Sequence, residues 1–429
     1  RMLSLGMIDK VAYQTAVEAP ITSKNHGVTP DIEAGYIAEM VRSELYSTFG
    51  DDLYSTGMTV YTTIDSGRQK AANEAVFNGV LNYDTRHGYR GSIETRIDLI
   101  DAPLEEQEKA LQDISRFSNW QTALVISTEE NTADVRLADG SRATLLWDAV
   151  KWAKPYIDEN SQGKPPTIMG DVLVPGDIIR LRPDEKLGWV LTQKPTVQTA
   201  LISLNSKNGG IEALVGGFNF YENTFNRITQ SKRQPGSNFK PFVYASALSR
   251  GYTAASIIND APVVFNDTNL ASAWRPTNDG GKFYGPTRLR QALYRSQNIV
   301  SVRLLDELGI RPTLNFLRRF GFDPDELPHN LSLSLGSANL SPLQIAAGYA
   351  VFSNGGYQIQ PYLIDKVVDR NNEVLFQANP LTVCVTCTQL EKTTSDEPQM
   401  GLFETNDGIR SLPLAPQVLD PEVNYIIYD

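Results

Sequence analysis

The stretch Arg233-Gln-Pro-Gly-Ser-Asn-Phe-Lys-Pro-Phe-Val-Tyr-Ala-Ser-Ala-Leu248 decides the reading of this chain. Its Pro-Gly pair reads as a turn feeding a helix N-terminus, and Gly251 as the stop that follows. On such a helix Ser237 and Lys240 share one face, about one turn apart. Lys240 is the anomaly, an amine among Phe239, Pro241, Phe242, Val243 and Tyr244. Desolvation disfavours an ammonium and can lower the pKa of a buried lysine by about 3–5. A neutral amine beside a hydroxyl is a general base beside a nucleophile. The plainer alternative is a serine N-cap followed by a lysine that carries its head to water. A second string of the same form, Ser161-Gln-Gly-Lys164, lies in a Gly/Pro-rich loop where no helix aligns the pair, so context has to decide.

A length of 429 residues suggests about three domains. Hydrophobic content of 41% and charged content of 21% are those of an ordinary globular chain. The net charge of −11 argues against a general nucleic-acid binder, which needs a basic footprint. The chain begins at Arg1 without a signal-peptide pattern, and no uninterrupted apolar run approaches the roughly 18–20 residues of a membrane span. Either it is soluble throughout or an N-terminal anchor lies outside this sequence. The two cysteines form Cys384-Val-Thr-Cys387, too few ligands for zinc, with His26, His87 and His329 far away in sequence. Val383, Val385, Thr386 and Thr388 suggest an extended loop, which leaves a local disulfide or a free pair. No metal or other cofactor is expected.

Periodicity organises the rest. Residues 1–50 look helical and polar around a linker from Pro20 to Pro30. Residues 58–65 read as a strand, followed by a helix from about Ser66 to Asn82. From 86 to 196 the character changes. An acidic helical piece, Asp101–Ile114, precedes five or six short strands at Thr122–Ser127, Thr132–Ala138, Ser141–Leu146, Val172–Val174, Asp177–Leu181 and Trp189–Gln193. Asp139-Gly140 is a hairpin turn among them. This segment looks like a small inserted β-barrel. Beyond it, Val197–Leu204 and Ile211–Val215 flank the hairpin signal Asn208-Gly209-Gly210. Helices are expected at Thr287–Tyr294, Ile299–Leu308, Pro312–Phe320 and Pro342–Ser353, and a hairpin at Tyr362–Val368 and Glu373–Phe376. Thr382–Pro413 reads as a long polar loop.

The run from Arg233 to Tyr244 resembles the active-site helix of penicillin-binding proteins. Val60-Tyr-Thr-Thr-Ile-Asp65 with Gln69 looks like their pedestal strand and helix, and Ser203–Phe220 with Gly216-Gly217 like the first two strands of their transpeptidase sheet. Leu333-Ser-Leu-Gly336, Ser341-Pro342-Leu-Gln-Ile-Ala346 and Tyr349-Ala-Val-Phe352-Ser-Asn354-Gly355 look like the segment after the active-site motifs. The insertion, opening with Tyr89-Arg90-Gly91, is similar to the OB-like insertion of class A high-molecular-weight members of the 1a kind. The resemblance implies an α+β, serine β-lactamase-like transpeptidase fold. It divides the chain into a linker (1–57) from an absent glycosyltransferase lobe, a pedestal (58–85), the OB-like barrel (86–196) and the transpeptidase domain (197–429). It also implies a place on the periplasmic side of the bacterial inner membrane.

For chemistry, the resemblance implies Ser237 as the nucleophile that takes the acyl group of a D-Ala-D-Ala stem peptide or is acylated by a β-lactam, with Lys240 as its base. The family's second motif, Ser-x-Asn, fits Ser296-Gln297-Asn298. Only position selects it, since the tripeptide also begins at Ser23, Ser203, Ser206 and Ser337. Ser296 would relay a proton between Lys240 and the leaving amine, and Asn298 would hold the substrate amide and Lys240; the alternatives are a helix cap and a loop-stabilising bond. Trp274 and Tyr284, with Phe283, form either a wall against substrate or plain core.

The third motif, Lys-Thr/Ser-Gly, has no match, because Lys392-Thr393-Thr394 fails in its third residue. The chain is therefore expected to stop inside the transpeptidase domain, after the helix opening at Pro421, and to need a second polypeptide piece carrying that strand. A DD-transpeptidase is the first reading. A DD-carboxypeptidase or β-lactamase-type hydrolase shares the chemistry up to deacylation by water. A non-catalytic assembly module, with a protein or glycan strand on the barrel, is the other class. The acidic residues of Asp98–Asp113 speak against a nucleic-acid strand there.

Overall fold

The computed structural model describes residues 2–18, 30–114, 117, 119–265, 274–384, 386, 388–389, 398–405 and 408–429, without the side chains of 388 and 389. The chain divides into two compact units, residues 1–33 and 34–429. In the first, the only regular element among the described residues is the helix Lys10–Glu18, begun by the Asp9 carboxylate, which accepts the Ala12 N–H at 2.7 Å. Leu3 and Met7 lie in turns before it, so the expected periodic run is helical only in its second half. The expected Pro20–Pro30 linker falls outside the described residues except for Pro30.

The second unit is stitched by pairings between residues far apart in sequence. Strand Thr59–Thr62 runs antiparallel to Ile364–Val368, which pairs in turn with Val374–Gln377. Asp65 then caps the helix Ser66–His87, accepting the Arg68 N–H at 2.8 Å. This helix runs five residues beyond the expected end because Val76, Val80 and Asp84 continue its buried face. Its Gln69, 1% exposed, pairs with the peptide of Leu214 like another strand: its Nε2 donates to the carbonyl at 2.9 Å and its Oε1 accepts the N–H at 2.8 Å. Leu214 belongs to the expected hairpin, Leu201–Leu204 with Ile211–Val215.

The insertion is a six-stranded antiparallel sheet. Gln121–Thr128, Thr132–Leu137 and Arg142–Leu146 follow one another, Asp177–Asp184 pairs the other edge of the first, and Glu94–Thr95 and Gly188–Thr192 both pair Asp177–Asp184. Its core collects the inward positions Ala123, Val125, Val135, Leu145, Leu181 and Leu191. Two expectations are corrected. Among the described residues no strand pairing joins Arg142–Leu146 to Gly188–Thr192 or Glu94–Thr95, so the sheet is not a closed barrel. Val172–Val174 is not a strand. Leu173 is buried, but the backbone turns after Met169–Asp171, where Asp171 accepts the N–H groups of Thr167 and Ile168.

The remainder packs helices around Lys240–Leu248, with the other expected helices at Leu289–Tyr294, Asn298–Leu308, Ile310–Leu317 and Pro342–Ser353. The helix Pro421–Tyr428 also forms. Thr382–Pro413 is not one long loop. Met400–Thr405 and Gly408–Pro413 make a hairpin, with Thr388–Gln389 on its edge. The polar composition around it hid this hairpin from the sequence reading.

The insertion is fastened where it leaves and rejoins the unit. Asp84, 3% exposed, accepts from Arg90 Nη1 at 2.8 Å and Nη2 at 3.1 Å, and from Gln193 Nε2 at 2.7 Å; Gln193 Oε1 accepts the Arg90 N–H at 2.8 Å. Removing one member of a buried pair strands the other without a partner, at about 3–5 kcal/mol. Asp84→Ala is expected to fall near the lower end of that range, since Arg90 keeps some solvent, as measured by urea unfolding. An unchanged midpoint would remove the clamp from the account.

Candidate active site

The helix Lys240–Leu248 is held in place by an aromatic cluster. Phe239 and Phe242 are fully buried, and Phe242 lies about 5 Å, centroid to centroid, from Phe320 (5.3 Å), Phe322 (5.0 Å), Tyr349 (5.2 Å) and Phe352 (5.2 Å). Lys240 lies between these two phenylalanines in sequence and is only 1% exposed. Nearly all of its side chain is withdrawn from solvent.

Instead Nζ finds three acceptors at the start of the helix Asn298–Leu308: the Ser296 carbonyl at 2.6 Å, Asn298 Oδ1 at 2.7 Å and Ser296 Oγ at 3.1 Å. The first two can only accept. The hydroxyl can accept or donate. An ammonium fills all three contacts as donor. A neutral amine keeps the two pure acceptors and turns its lone pair toward the hydroxyl. Burial lowers the Lys240 pKa to about 8, so about one amine in ten is neutral at pH 7. Ser296 is one of two non-glycine residues among those described with positive φ, at 52°. That left-handed backbone aims its carbonyl and hydroxyl at one amine, and strain of this kind clusters at functional sites.

Ser237 sits in a 3₁₀ turn, Gly236–Phe239, that leads into the Lys240 helix, and its carbonyl accepts the Lys240 N–H. The expectation of one continuous α-helix is corrected to this tighter turn. The Ser237 side chain is exposed, and among the described residues no hydrogen bond joins it to Lys240 Nζ. The structure therefore gathers Lys240, Ser296 and Asn298 into one bonded cluster and sets Ser237 one turn before the amine, open to solvent. Three contacts hold that turn. Gly236 N–H donates to Gly336 O at 3.2 Å, Tyr349 Oη donates to Asn238 O at 2.7 Å, and Arg233 and Leu340 exchange backbone bonds at 3.0 and 3.1 Å.

Trp274 is half-buried and bridges to Phe265 through two backbone bonds at 2.9 and 3.0 Å. Tyr284 is 53% exposed, with the Arg295 guanidinium 5.3 Å over its ring, so it is not core. Cys384 is disulfide-bonded, while Cys387, and with it the Cys-Val-Thr-Cys pair, lies outside the described residues, as does Lys392. Sequence reasoning missed Thr277, whose carbonyl accepts from Asn298 Nδ2 at 3.0 Å, and Asn278, whose Oδ1 accepts the Asn298 N–H at 2.8 Å. The loop around them carries no periodicity that could have signalled this.

Residues 199–399 match the penicillin-binding protein transpeptidase domain, and residues 89–197 the penicillin-binding protein OB-like domain. Penicillin-binding protein 1A of Pseudomonas aeruginosa is 45% identical over 388 residues, 90% of this chain and 46% of that protein. The chain belongs to the class A penicillin-binding proteins. Within them, the Escherichia coli 1A protein is 39% identical over 412 residues, covering 95% of this chain and 48% of its own length. The crystal structure of penicillin-binding protein 1A from Haemophilus influenzae superposes with a TM-score of 0.78 at 35% identity, covering 99% of this chain and 61% of that one. The chain spans about half the length of the full 1A proteins it matches.

Gly336 is the contact most exposed to test. Its φ is +73°, and a Cβ there would collide with the Gly236 carbonyl beside Ser237. Gly336→Ala is expected to cost about 1–3 kcal/mol in chemical denaturation. A variant as stable as the parent would show that this approach does not constrain the turn.

Proposed function

We propose that this penicillin-binding protein is a DD-transpeptidase acting on peptidoglycan stem peptides through an acyl-serine intermediate. The observation that carries the reading is the buried Lys240 amine, held by Ser296 and Asn298 one turn from an exposed serine. In this reading the neutral amine takes the Ser237 proton as Oγ attacks the carbonyl of a D-Ala-D-Ala donor. The C–N bond then breaks, and Ser296 carries the proton to the departing D-Ala amine. An acceptor amine reverses the sequence and forms the cross-link. A β-lactam would enter by the same attack and remain as an ester. Asn298 Oδ1 already accepts from Lys240 Nζ and its Nδ2 donates to Thr277 O, so its first role is to hold the base. Tyr284 with Arg295, and Trp274, would border the substrate cleft.

The rest of the sequence-based picture is proposed with it. Residues 1–57 serve as linker, 58–85 as pedestal, 86–196 as the OB-like part that offers a protein or glycan partner a surface, and 197–429 as the transpeptidase part. Among the described residues no helix is long and apolar enough to cross a membrane, and the periplasmic face of the inner membrane is the proposed location. The cation for the substrate carboxylate and the second oxyanion N–H would come from a Lys-Thr/Ser-Gly strand outside these 429 residues. Tests therefore belong in the full-length protein.

Covalent labelling by a fluorescent penicillin is expected to vanish in Ser237→Ala and to slow by about 10²–10⁴ in Lys240→Met. Because Lys240 acts as the neutral base, the parent's acylation rate should rise with pH through about 8 and then level. Labelling that survives Ser237→Ala would end the reading. Product analysis with a labelled acceptor amine separates the reactions, and hydrolysed donor alone would favour the carboxypeptidase alternative.

A further inference from the structure

Beyond the Ser237–Lys240–Ser296–Asn298 set lies a buried carboxylate to which the proposed chemistry gives no role. Asp260 ends the strand Ile257–Asp260 and is fully buried. Both its oxygens accept from Asn278 Nδ2, at 2.8 and 2.9 Å, and Oδ2 also accepts the Tyr284 N–H at 3.1 Å. Asn278, 6% exposed, turns its Oδ1 the other way and accepts the N–H groups of Asn298 at 2.8 Å and Ile299 at 3.2 Å. These are the first donors of the helix Asn298–Leu308, and its own N-cap residue, Gln297, makes no side-chain capping bond. Asn278 therefore caps that helix from another part of the chain. The neighbouring Thr277 carbonyl accepts Asn298 Nδ2.

The direction of these bonds follows from the acceptors. The Asp260 carboxylate takes the Asn278 NH₂, and the Lys282 carbonyl, which only accepts, takes the same NH₂ at 2.9 Å, so Asn278 presents its oxygen to the helix. The Thr277 carbonyl also only accepts, so Asn298 must present its NH₂ there and its oxygen to Lys240. Both amides are thus oriented, and the second hands the catalytic amine an acceptor and not a donor. We infer that Asp260 is a positioning residue for the acylation site: through Asn278, its carboxylate sets the orientation of the Ser296–Asn298 segment that holds the Lys240 amine. This rests on the acyl-serine reading above.

The test uses the full-length protein and fluorescent-penicillin acylation. In Asp260→Asn the introduced NH₂ faces the Asn278 NH₂, which then keeps only the Lys282 carbonyl as a sure acceptor. Combining Asp260→Asn with Asn278→Asp restores the donor–acceptor order between positions 260 and 278, while setting a carboxylate oxygen against the Lys282 carbonyl. The amide now at position 260 donates to the carboxylate now at position 278, and that carboxylate accepts the helix N–H groups. The amide oxygen at position 260 still takes the Tyr284 N–H. The single variant is expected to fold and to acylate about ten- to a hundredfold more slowly. Its pH–rate midpoint should lie below the parent's, since the Ser296 and Asn298 acceptors, once displaced from the amine, stabilise the ammonium less. The double variant should recover part of the rate. A folded Asp260→Asn with parental rate and midpoint would overturn the inference, as would a double variant without recovery. Unfolding of either variant would do so too, by making the carboxylate a requirement of the fold. If the parent is not acylated at all, it is the acyl-serine reading that fails.

Discussion

Burial of one amine organises this site. Lys240 could reach water only by leaving the interior that Phe239 and Phe242 anchor, and those rings are fixed by four other aromatic residues. The aromatic packing therefore holds Nζ where charge is costly. The three acceptors from Ser296 and Asn298 moderate that cost without removing it. The outcome is a lysine whose pKa falls to about 8, close enough to neutrality for proton exchange near physiological pH. A site with more solvent would leave the amine charged, and one with fewer acceptors would leave it without orientation.

That constraint needs a rigid frame, and the frame is made from residues distant in sequence. Strand Thr59–Thr62 closes on Ile364–Val368, Gln69 extends the hairpin at Leu214, and Gly336 meets Gly236 beside the Ser237 turn. The OB-like insertion leaves and returns beside a polar junction at Asp84, Arg90 and Gln193. A sheet of six strands can thus be inserted without disturbing the register between the helix Ser66–His87 and the hairpin it supports.

Much of this was legible in the sequence, for identifiable reasons. An amine among aromatics stands out in one dimension, and the expected helix Pro342–Ser353 forms with those bounds. Alternation found five of the six strands of the insertion's main sheet, but alternation says nothing of whether a sheet closes, and the barrel did not follow. Val172–Val174 misled because a short apolar run serves a buried turn as well as a strand. The hairpin of Met400–Thr405 and Gly408–Pro413 was hidden by polar neighbours. Asp260 and Asn278 could not be found, since their importance lies in which atom faces which, a property of three dimensions.

The central claim is that Lys240 exchanges its proton near neutral pH because it is buried. The direct measurement is an NMR titration of the protein with ¹³Cε-labelled lysine, the Lys240 signal being assigned by its loss in Lys240→Met. The account predicts a midpoint near 8 in the folded protein, well below the 10.5 of an unperturbed lysine. A Lys240 signal titrating at 10.5 or above would contradict it, because the amine would then stay cationic at every pH at which the enzyme works.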